Sequence, residues 1–268
     1  MPSDALHQWL VCILFSLANM VITFWGVCGL IHYWFYVRKR AQAKEWKLQP
    51  NRWLSRKMVR HAFVLGTLNQ LLAALLGATF ACYILRGGWS QLYFEPGKYG
   101  LIYLPVSFVL GFLLIDAGLY YSHRLLHQRL LFRHIHRWHH RYVAPVVFTY
   151  TAVHPVELII LELTVFLTAF ILPMHVGVYL ALLAYTSLVG ILDHVGARIE
   201  LRLPLHGTTR FHDDHHIYFH CNYGAHTKLF DILHGTVRRT DREYGEEIYG
   251  GHGAARADSA AGGRQVRY

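Results

Sequence analysis

Three short stretches of this chain place histidines at helical spacing. SHRLLH carries His123 and His127; HRWHH carries His136, His139 and His140; HDDHH carries His212, His215 and His216. On a helix, positions i, i+3 and i+4 share a face, so each stretch can aim its imidazoles at one point. Neutral imidazole is the commonest side-chain metal ligand. With 20 histidines in 268 residues, chance yields about 0.1 instances of the i, i+3, i+4 triplet. Two are present, 76 residues apart. Eight imidazoles exceed the needs of one ion, since a catalytic zinc takes about three protein ligands. The count fits two metals. Imidazole ligation alone permits iron, zinc, copper or nickel.

Residues around these boxes extend the candidate site. Asp116, Tyr120, His123 and His127 fall on one helical stripe, and a carboxylate inside an apolar segment is costly unless paired. Asp116 is therefore expected to orient a ligand histidine by accepting its second N–H. His194, in ILDHVG, ends an apolar run and is expected as a ninth ligand. His154 precedes Pro155, a residue suited to a helix first turn, which favours a structural role. His220, His226 and His234 follow the third box without regular spacing and are read as local structure. His7, His32, His61 and His175 are read as unrelated to the metal.

The elements that position these residues are apolar. Of the chain, 54% is hydrophobic and only 16% charged, against roughly 25% charged in a soluble domain. Apolar runs over 8–37, 62–85, 101–121, 155–174 and 176–193 predict four to five membrane helices, the last two being equally compatible with a re-entrant hairpin. The stretch 86–100 reads as a turn region. The expected fold is all-α and integral to the membrane: N-terminal helices and a basic loop over 1–100, a catalytic region over 101–249, and a disordered tail over 250–268.

The net charge of +10 does not indicate nucleic acid, because nine Lys/Arg and one acid are concentrated in 38–61, between two apolar segments. Such a loop orients a membrane protein with its basic side in the cytoplasm. Residues 122–153 and 194–268 then face the same side, and the histidine-rich di-metal site is cytoplasmic. The four cysteines form no CxxC pair, which argues against a disulfide scaffold or a zinc ribbon.

With these residues in place, the chain resembles the fatty acid hydroxylase superfamily, which includes sterol desaturases, C-4 methylsterol oxidases and cholesterol 25-hydroxylase. The resemblance runs from about residue 110 to 240 and rests on HRLLH, HRWHH, HPVE, DH and HDDHH…NYG…LFDILHGT, in that order. It implies a four-helix-type membrane core capped by the di-metal site, and O2-dependent chemistry on a lipid with two iron ions, which zinc can replace in purified protein. The implied ligands are His123, His127, His136, His139, His140, His194, His212, His215 and His216. Some family members carry another histidine four residues after the position of His194; this chain has Arg198 there.

A lipid C–H bond offers no acid–base handle, which favours a redox metal and O2. The expected activity is hydroxylation of a lipid, a sterol or related isoprenoid. Desaturation or squalene-type epoxidation is the alternative on the same scaffold. Electrons come from a separate protein of cytochrome b5 or ferredoxin type, which the basic surface suits. The expected location is the endoplasmic reticulum membrane if the source is eukaryotic. A metal transporter, a different class, would place histidines at mid-bilayer rather than at one face. A zinc hydrolase would need a nucleophile, and none is marked.

Overall fold

A computed structural model describes residues 2–199 and 205–256. Four helices are long and apolar enough to cross a membrane: α1 (Asp4–Arg38), α2 (Arg56–Leu85), α3 (Tyr103–Leu126) and α5 (Val176–Asp193). Their outward faces carry Leu14, Phe15, Ile22, Leu30, Leu68 and Val109, all exposed, as a lipid-facing surface requires. The chain is an all-α integral membrane protein. α1 winds wider than an α-helix over Val21–Val27 and Tyr33–Arg38.

The helix α4 (Pro155–Ile171) has 17 residues. At 1.5 Å per residue that is about 25 Å, short of the roughly 30 Å hydrocarbon core. It pairs with α5 through a tight connection and enters the bundle as one arm of a hairpin. The expectation of four to five spans resolves to four by length and composition among the described residues; α4 is too short and carries Glu157 and Glu162. His154 caps α4, its Nδ1 accepting from the Val156 amide at 3.2 Å, with Pro155 at the first helical position.

Beside a small apolar core that joins Cys12 of α1 to Ala78 and Cys82 of α2, two larger ones hold the bundle among the described residues. One joins Phe24, Cys28 and Tyr36 of α1 to Tyr142, Val147, Phe148 and Ile191. The other joins Ile115 and Leu119 of α3 to Val165 and Ala169 of α4 and Leu182 of α5. The turn region 86–100 also contains a two-residue strand, Leu92–Tyr93, parallel to Met174–His175. Where a disordered tail is expected from Gly250, Ala254–Ala255 instead pairs antiparallel with Arg242–Glu243. The rest of that expected tail, 257–268, lies outside the described residues.

The loop between α1 and α2 packs at the histidine-bearing end. The Leu48 amide donates to Gly196 O, the Arg198 amide to Trp46 O, and Gln49 Nε2 to Asp213 Oδ1 at 2.9 Å. Lys47 is buried between the rings of Tyr36 and Trp53, and burial pushes its ammonium down to about 8. The basic loop and all the histidine boxes thus share one end of the bundle.

Candidate metal centre

The nine histidines come together as two clusters. His123, His127, His136, His140 and His215 form one; His139, His194, His212 and His216 form the other. Within each, the ligating atoms lie within 4.8 Å of one another. All but His123 are buried.

Helix geometry explains the division. Residues i and i+4 are about 40° apart around a helix, while i+3 lies about 60° to the other side. In HRWHH the pair His136 and His140 joins the five-imidazole cluster and His139 joins the other. In HDDHH, on helix α6 (Thr209–Tyr218), the assignment is exchanged: His212 and His216 join the four-imidazole cluster and His215 crosses over. The second and third boxes therefore each contribute to both clusters, while the first serves the five-imidazole cluster alone. The i, i+4 pair His123 and His127 comes from the end of α3, and His194 directly follows α5.

The ring nitrogens show what the clusters are built to hold. His136 Nε2 lies 3.1 Å from both His123 Nε2 and His140 Nε2. His194 Nε2 lies 3.1 Å from His139 Nε2 and 3.0 Å from His212 Nε2. Behind them, His123 Nδ1 donates to Tyr223 O at 2.8 Å, His194 Nδ1 to Gly190 O at 2.8 Å, and His215 Nδ1 to Cys221 O at 2.7 Å. Carbonyls only accept, so those Nδ1 atoms carry the proton and the Nε2 atoms are bare lone pairs. The Nε2 atoms of His127 and His215 are buried without a partner among the described residues. Converging lone pairs in a dry site leave each nitrogen unsatisfied unless a cation sits among them. The residues fit two metal ions.

Burial keeps the imidazoles neutral. It holds His127, His139, His140, His212, His215 and His216 well below the usual histidine range, with neighbouring imidazoles adding to the effect. It lowers His136 to about 3 and His194 to about 4. Neutral imidazole is the form that ligates a metal.

Two contacts of the ligands escape the sequence reading. Glu157 Oε1, buried in the first turn of α4, accepts from His136 Nδ1 at 2.8 Å. His220, expected to be local structure, lies against a ligand instead. Its Nε2 donates to Glu246 O at 2.9 Å, which leaves its Nδ1 as an acceptor for His127 Nδ1 at 3.0 Å. That fixes the tautomer of His127 with Nε2 free.

Asp116 has a different role from the one expected. It is fully buried, but it accepts from the amides of His226 and Thr227 at 3.2 Å each and from Thr227 Oγ1 at 2.6 Å. Its partners are a loop 110 residues away rather than His123. Asp231 holds the preceding stretch, accepting from the amides of Tyr223 and Gly224 at 2.8 and 2.7 Å. Between them runs CNYG. Asn222 sits at φ 54°, tolerable for asparagine, and its side chain donates to Phe211 O at 3.0 Å and accepts from the Arg238 amide at 2.7 Å. Gly224 has no room for a Cβ, which would meet the backbone of Thr227. The two carboxylates thus staple a loop whose carbonyls brace His123 and His215.

A bundle of membrane helices bearing two buried imidazole clusters at one end defines a membrane protein with a site for two metals. Residues 108–236 match the family described as Fatty acid hydroxylase. The Delta(7)-sterol 5(6)-desaturase of Schizosaccharomyces pombe is 33% identical over 157 residues, covering 59% of this chain and 52% of that protein. Human lathosterol oxidase is 33% identical over 165 residues, covering 60% and 55%. The Delta(7)-sterol 5(6)-desaturase of Saccharomyces cerevisiae is 31% identical over 156 residues, covering 58% and 42%. The match spans about half the length of these curated relatives. No solved structure matches the chain.

Proposed function

We propose that this chain is an oxidoreductase that uses O2 and externally supplied electrons to oxidise a sterol or related isoprenoid lipid. The observation that carries the reading is the gathering of nine imidazoles into two metal-sized clusters inside the region matched to the fatty acid hydroxylase family. Two iron ions, when bound, would supply O2 activation and the one-electron steps that C–H cleavage demands. His123, His127, His136, His140 and His215 would hold one, and His139, His194, His212 and His216 the other.

The chain's own residues supply position and dryness. Glu157, His220 and the Cys221 and Tyr223 carbonyls aim the rings. The buried setting limits water at the reacting centre, and the bundle lets a lipid arrive from the bilayer. The relatives are named sterol desaturases and lathosterol oxidases, which favours ring desaturation over the hydroxylation expected from the boxes alone. In a desaturation, O2 accepts two electrons from the substrate as two C–H bonds break and two from a donor, and leaves as two waters. The donor is a separate protein of cytochrome b5 or ferredoxin type. The basic loop packed beside the site supports a cytoplasmic orientation and an acidic donor; in a eukaryote the membrane would be that of the endoplasmic reticulum.

The test is sterol profiling by mass spectrometry in a host with and without the chain, with His139→Ala and His215→Ala as controls. A new unsaturated or hydroxylated sterol that disappears in both variants supports the reading. An unchanged sterol profile beside an altered acyl-chain profile would move the substrate to fatty acids.

A further inference from the structure

A cavity of about 800 Å³ lies between α1 and α2, away from the histidine clusters. Its inner wall is apolar and aromatic, formed by Tyr36, Val59, Phe63 and Phe148. His32 belongs to this wall, stacked on Tyr36 at 5.1 Å between ring centroids, and its Nδ1 is buried without a partner among the described residues. The mouth is of opposite character. Arg40, Arg56 and Arg60 line it, all three exposed, and none forms an ion pair among the described residues. Arg40 is held over the Trp53 ring at 4.3 Å. Ser55 and Arg56 also line the cavity, so the N-terminus of the 30-residue helix α2 opens onto it.

We propose that this cavity binds an anionic phospholipid, its phosphate at Arg40, Arg56 and Arg60 and its acyl chain against the aromatic wall. The division of the cavity matches such a molecule. Phe63 follows Arg60 by three residues and Arg56 by seven, so its ring lies about 5–10 Å further along α2 than those two arginines. A cavity of this size suits a lipid segment, since ligand pockets commonly fall between about 300 and 1,000 Å³. Three guanidiniums and a helix N-terminus are matched by an anion and left unmatched by a neutral sterol. Basic pockets between membrane helices select anionic head groups in this way. The site is distinct from the metal centre and does not depend on the proposed reaction.

The experiment uses the full-length chain in detergent, with lipid retention followed by native mass spectrometry and thermal unfolding. Phosphatidylglycerol should be retained and should raise the unfolding temperature, whereas phosphatidylcholine and inorganic phosphate should do neither. The combined variant Arg40→Gln, Arg56→Gln, Arg60→Gln should bind phosphatidylglycerol on the order of a hundredfold more weakly, with unchanged metal content. Should the triple variant fail to insert, the three single variants replace it, each expected to weaken binding about fivefold. Val59→Phe fills the cavity with all three charges in place and should also weaken retention. Equal retention of the two phospholipids, or full binding by the arginine variants, would overturn the proposal. Phosphate as effective as the lipid would make it a simple anion site and overturn the part assigned to the acyl chain.

Discussion

In the five-imidazole cluster, four rings are held from behind: His123 by Tyr223 O, His136 by Glu157, His215 by Cys221 O and His127 by His220. In the four-imidazole cluster only His194 has such a partner, the Gly190 carbonyl. The Nδ1 atoms of His139, His212 and His216 are buried with none among the described residues. Every ring but His123 is buried, so burial does not make the five-imidazole cluster the firmer of the two. What differs is how far the protein fixes each ring before a metal arrives. A ring bonded through its second nitrogen has its tautomer and direction set, whereas an unbraced one relies on packing and on the ion itself. The first cluster is the more pre-organised of the two.

Removing the hub of the weaker cluster should have the largest effect. His194→Ala takes away the ring whose Nε2 lies 3.1 Å from that of His139 and 3.0 Å from that of His212, and should abolish turnover while leaving one metal per chain by elemental analysis. Loss of both metals would show that the clusters do not act separately.

Next comes the brace that the stronger cluster takes from α4. Glu157→Gln replaces a carboxylate acceptor with an amide and should lower metal affinity or activity 10–100-fold, roughly the usual cost of losing such a partner. His220→Ala should weaken the same cluster, by about tenfold, because His127 loses the acceptor that sets its tautomer. If either variant instead released the ion of the four-imidazole cluster, the comparison would be inverted. Graded chelation of the wild-type protein, read by metal content over time, should remove the four-imidazole ion first.

Acid should act on both clusters in the metal-free protein. Folded His136 and His194 titrate near 3 and 4, below their ordinary 6.5. The unfolded chain therefore binds protons first. Stability is fully present above pH 6.5 and falls as pH drops from there toward the folded values, by up to about 1.4 kcal/mol per unit for each such group. Thermal unfolding between pH 7.5 and 5 should show a steep decline that metal loading blunts. A flat profile would mean that the imidazoles are not buried as neutral bases.

The smallest effect should come from Asp116→Asn. Replacing the acceptor for Thr227 Oγ1 with an amide nitrogen should cost about 1–3 kcal/mol of stability. Because Asp116 holds residues 226–227 rather than a ligand ring, metal content should stay near wild type. A metal deficit matching that of Glu157→Gln would return Asp116 to the ligand-orienting role read from its stripe.

The contrast between Asp116 and Glu157 also shows where the sequence is legible. The boxes, their shared end of the bundle and the place of His194 at the end of an apolar run could be read because helical spacing and apolar runs are local signals. The stripe through Asp116 and His123 is equally local, but the partner that won lies 110 residues away, in a loop no periodicity announces. Glu157 was hidden by an ordinary explanation, since an acid in a helix first turn suits the helix dipole without any histidine. His220 has no regular spacing because it reaches His127 from a loop. The five-and-four division was beyond reach for a related reason: the second and third boxes each contribute to both clusters, and only the packing of helices decides which ring turns where.

The CNYG loop bears on how the protein comes to be made. Tyr223 O braces His123 across 100 residues of chain, and Asp231 must be in place to hold that carbonyl. During synthesis the first two boxes leave the ribosome well before the residues that complete them. The centre is therefore among the last parts to mature, and such long-range closure is slow. A chain arrested before residue 212 would carry two histidine boxes and neither finished cluster, so metal delivery has to wait for the third box, in about the last fifth of these 268 residues.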